Sequence, residues 1–160
     1  MNITADISDE RGDAAQVVPL VLRDYGGRIA FGGPARTLRC DGDNALLAGL
    51  LSAPGEGAVL VVDGGGRLDA ALMGDVFASA AVENGWSGVI IHGAVRDAAV
   101  LAELPLGVKA TGTCPRRGAK AGTGQVGVDL VFGDVRVVDG DRIHADADGV
   151  LVIAAEGVIQ

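Results

Sequence analysis

Aromatic side chains are scarce in this sequence: one Trp, one Tyr and three Phe amount to 3% of 160 residues, although 49% are hydrophobic. A core must therefore be built from Val, Ala and Leu. Cysteine is scarcer still. Cys40 and Cys114 form no C-x-x-C spacing and no Cys/His set, so both read as reduced thiols, and a zinc hydrolase is not expected. Positive charge is also short. Against 21 Asp and Glu stand 13 Lys and Arg, a net −8 that disfavours nucleic acid as a direct ligand and suits a cationic partner. No apolar run reaches the roughly 18 residues needed to span a membrane. The N-terminus carries Asp6, Asp9 and Glu10 where a signal peptide would be basic and then apolar. A cytoplasmic protein with no membrane contact is expected.

Glycine, by contrast, is abundant. Its 26 copies imply many tight turns, and 160 residues suffice for one domain, 1–160, with a full core. A mean hydropathy of +0.36 is high for a monomer and favours apolar surface buried between subunits.

Taken in order, residues 2–12 suit a short helix that Gly12 stops, and Pro19 and Gly26-Gly27 make the next stretch irregular. Residues 29–40 alternate like a strand interrupted at Gly32-Gly33-Pro34. Asp41 or Asp43 can cap a helix whose apolar residues fall at 46, 47, 50 and 51, closed by Pro54-Gly55. Residues 59–63 form the clearest buried strand. Gly64-Gly65-Gly66 reads as a hairpin turn into a strand at 68–72, because G-x-G-x-x-G would need glycine at Asp69 and a helix after it. That removes the main support for a nucleotide or methyl-donor site.

Residues 72–97 hold the chemistry. Apolar residues at 76, 77, 80 and 81 mark a helix starting near Gly74 or Asp75 and ending at Asn84-Gly85. The first amides of such a helix lack intrahelical partners and carry the positive end of its dipole, so the turn from Gly74 through Asp75 and Val76 to Phe77 can seat a carboxylate or phosphate. Asp75 on its own reads equally as a cap and as a ligand. Val89-Ile90-Ile91 forms a strand ending at His92-Gly93, and Arg96-Asp97 stands next at the sheet edge where α/β folds bind ligands. Arg96 can clamp a carboxylate, and Asp97 offers the hard oxygen that Mg²⁺ or Mn²⁺ prefers. His92 and His144 read as structural. After Asp97 come a helix at 98–104, a strand at 108–111 and a mobile loop at 112–127, in which Arg116, Arg117 and Lys120 read as solvated charge able to reach an anion if the loop folds over it. Runs at 128–132, 135–138, 142–145 and 150–153, parted by Gly-Asp or Asp-Gly turns, read as antiparallel strands.

Several of these segments resemble one family: Val61-Val62-Asp63-Gly64-Gly65-Gly66, Ala71-Leu72-Met73-Gly74-Asp75, Glu83-Asn84-Gly85-Trp86-Ser87-Gly88, His92-Gly93-Ala94-Val95-Arg96-Asp97 and 140–146, with Tyr25-Gly26-Gly27 and Phe31-Gly32-Gly33. The family is that of the regulator of ribonuclease activity A, RraA, which also contains class II, metal-dependent 4-hydroxy-4-methyl-2-oxoglutarate aldolases. Its ligand motif is an Asp, twenty residues, then Arg-Asp, a spacing met by Asp75 and Arg96-Asp97. The resemblance implies an α/β fold, a swivelling β/β/α layered domain with a central, mostly parallel sheet and an antiparallel β-rich C-terminal half. It implies a homotrimer. It further implies that Gly74, Asp75, Val76, Phe77 and Arg96 hold the pyruvyl end of a small 2-oxo acid, with Asp97 binding Mg²⁺ or Mn²⁺. Val100 stands where many aldolase members have an acid, so no general base is assigned and oxaloacetate decarboxylation, which needs none, is favoured beside aldol cleavage. The alternative is a non-catalytic regulator that binds ribonuclease E or its helicase partners. In the best-known regulator the residue matching Asp97 is not acidic, so an acid here favours the enzyme.

Overall fold

The computed structural model describes residues 3–155. The chain opens with α1 (Thr4–Arg11), ended by Gly12 at φ 57°. Residue 2, where this helix was expected to begin, lies outside the described residues. Two short strands, β1 (Gln16–Val17) and β2 (Arg23–Asp24), precede the long β3 (Phe31–Arg39). Next come α2 (Ala45–Leu51), β4 (Val59–Asp63), β5 (Ala71–Met73) and α3 (Asp75–Glu83). They are followed by β6 (Gly88–Val95), α4 (Ala98–Leu101) and β7 (Gly107–Thr113). The remainder is strand: β8 (Gln125–Val126), β9 (Leu130–Phe132), β10 (Val135–Val137), β11 (Arg142–Asp146) and β12 (Gly149–Ile153).

Side-chain alternation along the central strands explains the layering. In β4, Leu60 and Val62 join one apolar cluster while Val59 and Val61 join another. In β6, Val89 and Ile91 face the first and Ile90 the second. The parallel strands β3, β4, β6 and β7 are thus buried on both faces, as near-continuous β-branched runs require. Helices α2 and α3 supply Leu47, Leu51, Ala78 and Ala81 to the first cluster. Strands β9 to β12 supply Leu130, Val137, Ile143 and Val152 to the second. The result is a mixed α/β architecture of helix, parallel sheet and antiparallel β layers, with sheet order β1-β12-β11-β3-β4-β6-β7-β2. No helix among the described residues is long and apolar enough to cross a membrane.

Several expectations need correction. Strand β3 runs unbroken through Gly32-Gly33-Pro34, because it changes partner there: residues 31–34 pair with β11 antiparallel and residues 35–39 with β4 parallel. Pro34 lies at the change of partner. Gly64-Gly65-Gly66 is no hairpin, since β5 pairs in parallel with the far end of β6. The turn instead hugs β6, with the Gly64 and Gly66 amides donating to the His92 carbonyl at 2.9 and 3.1 Å. Strand β6 does not stop at His92 but continues to Val95 across a register irregularity, where the Gly93 amide donates to Thr111 Oγ1. The helix after Asp97 is only four residues long. In α3 the buried residues are Ala78 and Ala81, while Val76 is 71% exposed.

Candidate active site

Two crossovers end at the same edge of the sheet. Strand β5 stops at Met73 and Gly74 leads into α3, while β6 stops at Val95 and delivers Arg96-Asp97 beside it. The Arg96 amide donates to the Met73 carbonyl at 2.9 Å, locking the two chain ends together. Asp97 adopts φ 60° and ψ 40°, a left-handed conformation that Asp tolerates better than most residues. From there its carboxylate reaches back across the start of α3, and Oδ2 accepts the Asp75 amide at 3.0 Å. That amide is one of the helix donors without an intrahelical acceptor, so Asp97 caps α3 from outside it.

Gly74 makes the approach feasible. A Cβ there would lie 2.5 Å from Asp97 Oδ2 and 3.1 Å from Arg96 Cγ. The hydrogen bond from the Asp75 amide, helped by the nearby Arg96 guanidinium, holds the Asp97 carboxyl below the usual carboxylate range despite some desolvation. Asp97 is therefore ionised at neutral pH.

A cleft of about 140 Å³ opens over this junction. It is lined by all six residues singled out from the sequence: Gly74, Asp75, Val76, Phe77, Arg96 and Asp97. Its volume is well under the roughly 300 Å³ at which sites for drug-sized ligands begin, which restricts it to a ligand of few heavy atoms. With the Asp75 amide already committed to Asp97, the Val76 and Phe77 amides are the first-turn donors left for such a ligand.

Besides Ala71, Leu72 and Met73, three polar residues complete the lining: Asn44, Arg117 and Lys120. The segment expected to be a mobile loop is in fact fastened over it. The Arg116 carbonyl accepts the Ala71 amide at 2.7 Å, the Gly118 amide donates to the Ala71 carbonyl, and the Ala119 carbonyl accepts the Asn44 amide. Asp43, 2% exposed, caps α2 through the Ala45 amide and also accepts the Ala121 and Gly122 amides. The Ala45 bond, with those from the loop, holds the Asp43 carboxyl below its ordinary range against burial. The basic run in this segment was the available signal for Arg117 and Lys120. Nothing in the sequence marked Asn44, which is buried with its Oδ1 unpaired.

Among the described residues no three His, Cys, Asp or Glu side chains are grouped to hold a metal. A hard cation asks for less, since Mg²⁺ is commonly held by one or two carboxylates and completes its shell with water and ligand oxygens. Asp97, with the Asp75 carboxyl group close beside it in the cleft, fits that donor set. Neither histidine takes part: His92 packs edge-on to Phe132 with Nδ1 3.6 Å from Asp63, and His144 lies in a different cavity.

The RraA-like family model, described as Aldolase/RraA, matches residues 4–152. Among solved structures, the chain is similar to one described as S-adenosylmethionine: 2-dimethylmenaquinone methyltransferase from Geobacillus kaustophilus. The two are 44% identical with a TM-score of 0.94, over 98% of this chain and 97% of that one. It is similar also to the RNA-processing inhibitor RraA from Thermus thermophilis, 43% identical with a TM-score of 0.93, over 99% of this chain and 97% of that one. A more distant likeness, 27% identical with a TM-score of 0.77 over 96% of this chain and 81% of the other, is to RraAS2 from Streptomyces coelicolor, an unusual member of the RNase ES inhibitor family.

Proposed function

The chain belongs to the RraA-like family, which includes both lyases and ribonuclease E regulators, and from that premise we propose that it is a divalent-metal-dependent lyase acting on small 2-oxo acids. The observation that carries this reading is the convergence of Arg96, Asp97 and the first turn of α3 on one cleft of ligand size.

Asp97, with Asp75 beside it, would hold Mg²⁺ or Mn²⁺. Once bound, such a cation supplies Lewis-acid stabilisation of negative charge developing on the 2-oxo group, worth several kcal/mol. The chain's own residues do the rest. The Val76 and Phe77 amides and the Arg96 guanidinium bind the carboxylate next to the oxo group, with the helix dipole aiding. Arg117 and Lys120 sit on the loop side of the cleft, where a second carboxylate on the same substrate gains favourable charge.

In oxaloacetate the C3–C4 bond breaks, CO₂ leaves, and the electron pair passes into the C2 carbonyl to give the pyruvate enolate, which takes a proton from solvent. In 4-hydroxy-4-methyl-2-oxoglutarate the same bond breaks once the 4-hydroxyl proton is removed, giving a pyruvate and a pyruvate enolate. Val100 is 45% exposed and offers no base, so decarboxylation makes the smaller demand on this site.

A methyltransferase reading gains nothing from Gly64-Gly65-Gly66. That turn leads into β5, not into a helix whose N-terminus could bind a nucleotide.

The deciding assay is turnover of both substrates with Mg²⁺ or Mn²⁺, repeated with EDTA and with Asp97→Ala. Turnover should fall in both controls, and turnover indifferent to them would refute the metal role. The likeness to the RNA-processing inhibitor supports a second reading, a protein that binds a ribonuclease E-type partner. A pull-down with such a ribonuclease should then retain Asp97→Ala as well as wild type, and no retention ends that reading. A homotrimer accords with Val76 lying exposed on the cleft and Val100 exposed on α4, and light scattering at the monomer mass would remove it.

A further inference from the structure

We propose that a second cavity, at the opposite edge of the sheet, binds a small multiply charged anion of the phosphate or polycarboxylate class through Arg28, Arg142 and His144. This cavity, about 450 Å³, is lined by those three side chains, with Ile3, Phe31 and Ala145 giving it an apolar wall. Ser87 on its lining precedes β6, and Arg96 of the cleft lies just beyond the end of that strand. Eight strand residues separate the two, roughly 25 Å at strand rise.

Positive charge exceeds negative around it. Arg142 and His144 project from the same face of β11, two residues apart, and Arg11 of α1 joins them in an adjoining cavity. Among the described residues, no carboxylate lies within ion-pair distance of Arg11, Arg28 or Arg142. Asp146 also lines the cavity and carries one negative charge, turned toward Thr4 and Asp148: Oδ2 accepts the Thr4 amide at 2.8 Å, and Oδ1 accepts the Thr4 hydroxyl at 2.7 Å and the Asp148 amide at 2.9 Å. In a chain of net charge −8, two guanidinium groups line this cavity and a third lines the adjoining one, none with an ion-pair partner among the described residues, which gives a local positive field suited to a polyanion. Guanidinium forks match phosphate and carboxylate oxygens in pairs. His144 is held below its usual range by burial and by Arg142 and Arg11, and a bound anion would relieve that repulsion.

The chain contains two histidines, which makes the test direct. Pyrophosphate and, separately, citrate are titrated into the full chain without divalent metal, monitored by calorimetry and by the imidazole proton resonances. Saturable binding of at least one of them is expected, with the His144 resonances moving and those of His92 still. Arg142→Gln should weaken it about tenfold or more, the value of one lost charged hydrogen bond, while Arg96→Gln leaves it intact. Binding of pyrophosphate alone or citrate alone distinguishes the phosphate from the carboxylate class. Binding of neither, an unmoved His144, or sensitivity to Arg96→Gln instead of Arg142→Gln would overturn the proposal.

Discussion

Replacing Gly74 by alanine separates the proposed chemistry from the fold. The backbone there, φ −131° and ψ −158°, is extended and accepts any residue, so no conformational strain accompanies the change. The new methyl carbon would instead lie 2.5 Å from Asp97 Oδ2, about 1 Å inside ordinary contact. Asp97 is short and its backbone is held by the start of α4, where the Val100 and Leu101 amides donate to its carbonyl at 3.0 and 2.9 Å. The carboxylate must therefore rotate away and release the Asp75 amide. The bond lost is exposed and charge-assisted, costing about 1 kcal/mol, equivalent to about 2–4 °C in Tm for a chain of this size.

Turnover should suffer far more. Displacing a reacting group by about 1 Å can cost a hundredfold, and here the displaced group is the proposed cation ligand, beside the Arg96 side chain that the same methyl crowds at 3.1 Å. Calorimetry of Gly74→Ala alongside oxaloacetate turnover at saturating Mg²⁺ gives both numbers. A variant that keeps turnover within twofold of wild type would show that the position of Asp97 does not govern the reaction.

Asp146→Asn should lower stability by about 1–3 kcal/mol at neutral pH through its bonds to Thr4 and Asp148. Burial raises the Asp146 pKa, but those hydrogen bonds outweigh it and leave the group below its ordinary value. Its contribution is thus full above the unfolded carboxylate pKa of about 3.9 and fades as pH falls through the lower folded value. Urea midpoints of wild type and variant should converge only in that acid range, and a constant gap would contradict the assignment. Lys109→Ala should cost about 3 kcal/mol, because the buried Lys109 Nζ sits 2.9 Å from the largely buried Asp24 on the edge strand β2 and its loss strands the carboxylate. Adding Asp24→Asn should recover part of that in denaturant titrations. Burial, reinforced by Asp43, Asp63 and Asp41, pushes the Cys40 thiol up to about 12. Iodoacetamide at pH 8 should therefore label Cys114 in the folded chain and reach Cys40 only in denaturant.

What could be read in advance divides along physical lines. Strand β4 and the limits of α3 were legible, because a β-branched run and a Gly-to-Gly helix are written into adjacent residues. The extension of β6 was hidden behind His92-Gly93, which reads locally as a stop. The Thr111 hydroxyl and a shifted register on β7 carry the strand past it. Spacing also misleads on which face of α3 is buried: Val76 belongs to the apolar stripe, yet it points out beside the cleft. The anchored loop was the least legible part. Its ties run from residues 116–122 to the backbone of Gly42, Asn44 and Ala71 and to the Asp43 carboxylate, long-range bonds that leave no periodic trace.

The conformation of Asp97 is what the proposed lyase would explain. A residue other than glycine at positive φ stores strain, and glycine at that position would form the same turn into α4 at lower cost. Capping α3 does not account for it, because a Ser or Asp at position 74 could cap from the helix's own chain. What a side chain at 97 adds is a carboxylate at the mouth of the cleft, with one oxygen fixed by the Asp75 amide and the Asp75 carboxyl group close beside it. A surface that only docks another protein gains little from such an arrangement. The proposed site, which would hold a cation and a keto acid together, gives that carboxylate a use.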